Sequence, residues 1–510
     1  MSDPALRIYL ARNSKKKEQK LPENQANSEN NDAIGGSLNS VMTRRAAISK
    51  AATAGVVAVI GIAAGGAAGY VLGSQGKTSA TSTTATTQAT PQEPQSITIN
   101  ALAGFIESQA TFVAQQYMKQ HPGVTITVNP IPENNMNAET ITGIQSGPPP
   151  DILYNSTLPA INAQIITPGY ALNLDTYAAN YGWDVGAIPY FDSFKVNGHY
   201  YWFPYGFIYY GNIYWNVDLF NKMNLQPPTT PDAFATAAKA LKAAGLQPMA
   251  HGYQTQPEWT FNAFSNIAMN LLSDQDYTNL YTYYGQNLKT SDFANRPIKF
   301  TDSSVVSAFQ TLVDWAPYYN DGVTSTTDST AVSLFTSQQA GMYQIGSWGA
   351  VALEQPINGA FKFDFVPISA VAPPTNGGGP TRICFYGLPY FVHYKTKSPN
   401  LCADFLSSFL TPASQVYQLS AGGFLAFPIA QLSPNVSTDP NVQKDINLST
   451  QLAGRYSLAA GLATELHDPF EAQLAGILSG STTATQAAQA IEQLAISVNQ
   501  GAPSTSASTS

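Results

Sequence analysis

The chain has 510 residues, more than one compact core usually holds, so two or more domains are expected. Hydrophobic residues make up 44%, enough for true cores, while only 11% are charged, well under the roughly 25% of an ordinary soluble protein. Residues 1–50 carry nine Lys/Arg and five Asp/Glu, leaving 15 basic and 27 acidic groups, a net −12, in the remainder, which argues against nucleic acid as a partner. The two cysteines, Cys384 and Cys402, lack CxxC spacing, which argues against a structural zinc. A disulfide and two buried thiols both stay open for them.

In chain order, the first feature is "TRRAAISK" at 43–50, whose Arg44-Arg45 pair resembles the twin-arginine export signature. Residues 51–72 follow without a charge, and 13 of these 22 are Ala or Gly. That length suffices for one membrane span of about 20 residues. The basic flank before it puts the N-terminus inside and the bulk of the chain outside. Residues 43–77 are therefore expected to be a signal or membrane anchor. Residues 1–42 are either a disordered cytoplasmic tail or a mis-assigned start, since Met42 directly precedes the signal. Nine of the first 13 residues of 78–95 are Ser or Thr, and prolines follow, the composition of a stalk. The expected location is the cell surface, with the chain anchored by residues 51–72 or released by cleavage. Sequons at Asn155, Asn435 and Asn447 would carry glycans there. Residues 501–510 read as a disordered tail.

From residue 96, "SITINAL" alternates like a strand, and residues 107–120 place Phe112, Val113, Tyr117 and Met118 at helical spacing. "VTITVNPI" and "PPPDILYN" are two more strands, so the order predicts a parallel sheet with crossover helices. Residues 229–245 are a helix opened by Pro231-Asp232 and closed by Gly245. Residues 303–319 are another, with Trp315 on its apolar side. Met342, Tyr343 and Ile345 form a short strand that runs into "GSWGA". Helices return at 400–423 and, as a pair, at the C-terminal end of the domain.

Several of these segments together resemble the extracellular solute-binding proteins of ABC importers, in the maltose- and sugar-binding group. The motifs are "HPGVTITV", "GPPPDILYNS", the run from "NGHYYWFPYGFIYYGN" to "NVDLFNKMNLQPPTTPDAF", "FTSQQAGMYQIGSW", "GLPYFVHYKTKSPNLCADFLSSFLTPASQ" and "SAGGFLAFP". The resemblance implies an α/β, two-lobe, type II periplasmic-binding-protein-like fold with the ligand cleft between the lobes. Residues 96–205 plus about 361–412 would form lobe 1, and 206–360 plus about 413–500 lobe 2. It implies a monomer that closes on a sugar ligand and docks on ABC permease subunits in the membrane. The chain has no GxxxxGK[ST] loop, so the ATPase would be a separate subunit. No cofactor, metal or catalytic group is expected.

Sugar recognition calls for rings under C–H faces and fixed polar groups for hydroxyls. Trp348 is the first candidate, since a Gly-Ser approach lets backbone run close to a ligand. Trp259, in a loop entering a helix, is the second. Glu107 follows the first strand, where it either accepts sugar hydroxyls or favours the helix N-terminus as a charge. Asn155 ends the third strand. Tyr205, Tyr386 and Phe424 sit at cleft positions by order of the family's segments. Trp215 and Trp315 read as core, and Trp202 stays open. A surface-anchored glycoside hydrolase is the alternative, with Glu107, Glu133, Asp151, Glu258 and Asp328 as conceivable carboxylates. A non-sugar solute, such as a peptide or polyamine, stays open as well, as does an adhesin role.

Overall fold

The computed structural model describes residues 95–132, 136–146, 149–155, 162, 164–183, 191–373, 382–422, 425–426, 440–451 and 453–501, all within the unit Thr83–Ser510. The expected tail at 1–42, the signal or anchor at 43–77 and nearly all of the stalk at 78–95 and the tail at 501–510 lie outside the described residues, as do Phe424, Glu133 and Asn435. Among the described residues no helix is long and apolar enough to cross a membrane.

The chain opens with β1 (Ser96–Leu102), α1 (Phe105–Gln120), β2 (Thr125–Ile131), α2 (Met136–Ser146) and β3 (Ile152–Tyr154). β1 pairs in parallel with both β2 and β3, the expected crossover pattern. α1 buries Ile106, Ala110, Val113, Ala114 and Tyr117, one face at helical spacing. A hairpin of β4 (Lys195–Val196) and β5 (His199–Tyr200) turns on Asn197-Gly198, both at positive φ, as a tight two-residue turn demands. β6 (Trp202–Tyr209) and β7 (Asn212–Asn216) follow, every residue of both buried.

α3 (Pro231–Ala243) is capped by Thr230, whose hydroxyl accepts from the Ala233 N–H at 3.2 Å. Next come β8 (Gln247–Ala250), α4 (Pro257–Leu271), α5 (Ser303–Trp315), α6 (Asp328–Thr336), β9 (Ala340–Ile345) and β10 (Phe363–Pro367). The chain then runs through β11 (Arg382–Val392), α7 (Pro399–Ser407), α8 (Pro412–Gly422), β12 (Leu425–Ala426) and β13 (Ala453–Tyr456). It ends in α9 (Thr464–Leu478) and α10 (Ala484–Gln500).

Two sheets organise these elements. The first has the order β12-β6-β11-β3-β1-β2, with β13 also on β11; the second has the order β10-β7-β9-β8. Helices α1 and α8 pack on the first sheet's side, where Phe112 stacks on Tyr417 at 4.4 Å. Helices α4, α5, α9 and α10 pack together, with Phe261 stacked on Phe470 at 4.1 Å. The sheets divide at points the sequence ranges do not mark. β6 stays in the first sheet through Tyr209, past residue 205. β10, inside 361–412, pairs with β7, while α8, β12 and β13, inside 413–500, join the first sheet's side. A buried strand is apolar on both faces in either sheet, so hydrophobic pattern locates strands without saying which sheet they enter. Trp202, like Trp215 and Trp315, is core. Cys384 and Cys402 are two buried free thiols.

Candidate functional site

The two sheets meet where β6 passes into β7 through Tyr210 and Gly211. Gly211 has φ +102°, and a Cβ there would come 2.6 Å from the Asn266 amide nitrogen, so only glycine fits. "GSWGA" arrives at the same place from β9. The Ser347 N–H donates to Tyr209 O at 2.9 Å, and the Ser347 hydroxyl accepts from the Tyr209 N–H at 3.3 Å. The end of a second-sheet strand is thereby bonded to the end of a first-sheet strand.

A chain of rings follows this junction. Trp348, half-buried, meets Tyr210 edge-on at 5.2 Å and Trp259 at 5.6 Å. Tyr210 meets Tyr386 at 4.9 Å, and Tyr386 meets Tyr456 at 6.0 Å. Trp348 follows β9, Trp259 lies in the first turn of α4, and Tyr386 and Tyr456 come from β11 and β13 of the first sheet. Glu258, next to Trp259, places its carboxylate beside the Tyr386 hydroxyl. Burial raises that phenol's pKa and the Glu258 charge raises it further. Trp348, Tyr210, Tyr456 and Glu258 each keep part of their surface exposed.

Behind the rings, α4 carries Asn262, Asn266 and Asn270 at four-residue spacing. Asn266 donates to Tyr210 O and Asn262 O, both at 2.8 Å, and accepts from the Cys384 N–H at 3.0 Å. Asn262 accepts from the Ser457 hydroxyl at 2.5 Å, and Asn270 donates to Ser369 O at 2.7 Å. Burial pushes the Cys384 thiol up to about 12. On α9, burial and the nearby Glu258 and Asp468 push Glu471 up to about 8. His467, Asp468 and Glu471 have ligand atoms within 4.8 Å of one another and are the described groups best placed to meet a cation.

Of the candidates from sequence, Trp348, Trp259 and Tyr386 come together in this ring chain. Glu107 sits in the first turn of its own helix, where it accepts from the Gly104 N–H at 3.4 Å. Tyr205 is fully buried, stacked on Tyr390 at 4.9 Å and packed on Phe409, so it is a core ring with no surface for a ligand. Asn155 is also fully buried, at the end of β3 with its N–H on Pro389 O of β11, and offers no surface to a ligand or to a glycan. The expectation that Gly346 makes room for a ligand is corrected as well. A Cβ on Gly346 would lie 1.9 Å from Cζ3 of Trp348, so the glycine makes room for the Trp348 ring itself. Sequence reasoning passed over Tyr210 and Tyr456, and it considered Glu258 only as a hydrolase carboxylate. The available signal was the stripe Glu258, Asn262, Asn266, Asn270, polar at helical spacing in an otherwise apolar segment.

The family model for bacterial extracellular solute-binding proteins matches residues 106–416, more than half of the chain. No curated protein matches it. Among solved structures, the chain is similar to a chitin oligosaccharide binding protein, at 19% identity over 79% of this chain and 99% of that one, with a TM-score of 0.60. It is similar to the GacH receptor of Streptomyces glaucescens GLA.O, described unliganded and with acarbose, at 18% identity over 80% and 99%, with a TM-score of 0.62. Maltose-bound MalE3 of T. maritima is similar at 18% identity over 79% and 99%, with a TM-score of 0.60. These likenesses show the fold, the two-lobe α/β type II periplasmic-binding-protein-like arrangement. With its two sheets joined at residues 210–211 and the family model spanning most of both, the chain belongs to the bacterial extracellular solute-binding proteins.

Proposed function

We propose that this chain is the extracytoplasmic binding subunit of an ABC importer, which captures a mono- or oligosaccharide between its lobes and hands it to a membrane permease. One observation carries the reading: the rings of Trp348, Trp259, Tyr210, Tyr386 and Tyr456 form a contiguous chain at the junction of the two sheets, with the Glu258 carboxylate beside the Tyr386 hydroxyl. Sugars present apolar C–H faces that stack on such rings, and hydroxyls that donate to a carboxylate. The names of the similar structures, which speak of chitin oligosaccharide, acarbose and maltose, support a sugar. The twin-arginine-like segment and the Ser/Thr-rich stalk support delivery at the cell surface, by a monomer tethered through its N-terminal segment or released from it. In this reading Trp348 is the main stacking ring, Trp259 and Tyr210 flank it with Tyr386 behind Tyr210, and Glu258 orients the hydroxyls.

The test is calorimetry with a panel of neutral mono- and oligosaccharides, with peptides and polyamines alongside. Saturable one-to-one binding of a sugar is expected. Heat with peptides or amines, and none with any sugar, would turn the reading to a non-sugar solute. A hydrolase is the second reading, in which Glu471, raised to about 8 by burial and the Glu258 charge, would serve as the acid beside a carboxylate. Prolonged incubation with maltotriose and chitotriose decides it, because a binding protein releases no product.

A further inference from the structure

Carboxylates gather beside the ring chain, where the first turn of α4 packs on α9. Glu258 lies three residues before Phe261, on the same side of α4. Phe261 stacks on Phe470 at 4.1 Å and meets the His467 ring at 5.6 Å. Glu471 directly follows Phe470, and the Glu258 charge reaches it from across the helix contact. The Tyr253 hydroxyl donates to Glu471 O, and the His251 ring meets the rings of Tyr253 at 6.2 Å and Trp259 at 6.3 Å. Glu258 and Glu471 both keep part of their surface exposed. The ring chain and the two carboxylates are therefore neighbours, joined through Glu258 and Trp259.

The charge at this place is one-sided. Burial raises the Glu471 pKa, and the charges of Glu258 and Asp468 carry it to about 8. Among the described residues no lysine or arginine forms an ion pair with Glu471, whose charged neighbour on α9 is His467 at 4.0 Å. A neutral sugar hydroxyl satisfies an acceptor but leaves the repulsion between the carboxylates as it was. An ammonium group relieves that repulsion, and aromatic rings attract it as well. The acidic excess of the chain beyond residue 50 adds attraction over a longer range. We infer that the solute is an amine-bearing saccharide, with its sugar face on Trp348 and Trp259 and its ammonium group held by Glu258 and Glu471. A metal ion is the poorer fit: it would rest on His467, Asp468 and Glu471, of which Asp468 is almost wholly exposed, and it makes no use of the rings.

The inference rests on the reading that the chain binds a sugar at these rings, and its test separates the two. Calorimetry on the full chain compares the glucosamine trimer, charged at mildly acidic pH, with its N-acetylated form, which has the same backbone and no charge. Glucosamine and glucose form a second pair. The amine should bind more tightly by roughly tenfold, and added salt should weaken it more than its neutral counterpart. Glu471→Gln removes one of the repelling carboxylates without changing the side chain's shape, and it should bring the two affinities together. Equal affinities in the wild-type chain, or a neutral sugar bound more tightly than the amines, would overturn the inference and leave the sugar reading standing. A preference undiminished in Glu471→Gln would overturn the assignment of the ammonium group to this pair. Heat with calcium or zinc chloride and none with the amines would make the cluster a metal site instead. No heat with any sugar, charged or neutral, would sink the sugar reading and this inference with it.

Discussion

Gly346 is bare because the Trp348 ring folds back over it, within 1.9 Å of where a Cβ would stand. The ring is held in that pose by Tyr210 and Trp259, which meet it edge-on. Gly346→Ala is therefore expected to push the half-buried ring out of this pose. If Trp348 is the main anchor, both Gly346→Ala and Trp348→Ala should weaken sugar binding by about 1–3 kcal/mol, the usual worth of an aromatic anchor. Calorimetry checks both, and tryptophan emission should shift in Gly346→Ala. Unchanged affinity in both variants would return Trp348 to a packing role.

Glu258 supplies the charge that faces Tyr386 and reaches Glu471. Glu258→Gln keeps the shape and removes the charge. Sugar affinity should fall by roughly 1.5–3 kcal/mol, the worth of a hydrogen bond to a charged group. The Glu471 pKa should fall at the same time, because one of the charges raising it is gone. Calorimetry reads the first effect and carbon-detected NMR titration the second. A lowered Glu471 pKa with intact affinity would separate Glu258 from the ligand.

The parts of this arrangement that follow local rules were legible in the sequence. Strand alternation in "SITINAL", the Pro231-Asp232 start of α3 and the core tryptophans Trp215 and Trp315 each rest on pattern within one element. Which sheet β10 and β13 enter did not follow from pattern, because it depends on partners tens to hundreds of residues away. Tyr205 and Tyr386 show the same limit. Both stand in aromatic first-sheet strands that pair with each other, yet Tyr205 points into the core against Tyr390, and Tyr386 stands at the sheet junction against Tyr210. Trp348 stood out because a glycine and a serine precede it, but the reason for that glycine is the ring itself.

Stability should depend on pH in two opposite ways. Glu471 is raised to about 8, so the folded state holds a proton that the unfolded chain releases near its ordinary value of 4.5. Its contribution is full below about pH 4.5 and is lost as pH rises through 8. His251 is buried and lowered to about 3, and His393 to about 4, both mainly by desolvation. Below about pH 6.5 the unfolded chain protonates these histidines while the folded chain does not, so stability falls as pH drops toward 3 to 4. Glu471→Gln should raise the melting temperature at pH 8 and leave it unchanged at pH 4. Equal shifts at both values would show that Glu471 does not titrate in this range.

Glu492 on α10 is a buried carboxylate that accepts four hydrogen bonds from three residues. It accepts from Arg296 Nη2 at 2.5 Å and Nε at 3.2 Å, from the Tyr284 hydroxyl at 2.5 Å and from the Phe300 N–H at 2.9 Å. Arg296 is partly buried and lies over the Phe293 ring at 4.1 Å. Breaking such a pair from one side strands a charge, which costs about 3–5 kcal/mol, whereas replacing both partners with apolar residues of similar size costs far less. Arg296→Met should therefore destabilise the chain strongly, and the double variant Arg296→Met with Glu492→Met should recover much of the loss. Tyr284 and Phe300 would then lose an acceptor, so recovery should stop short of wild type. Denaturant unfolding of the two single variants and the double measures the coupling. If the single losses simply add, the pair does not act as a unit, and its four hydrogen bonds contribute independently.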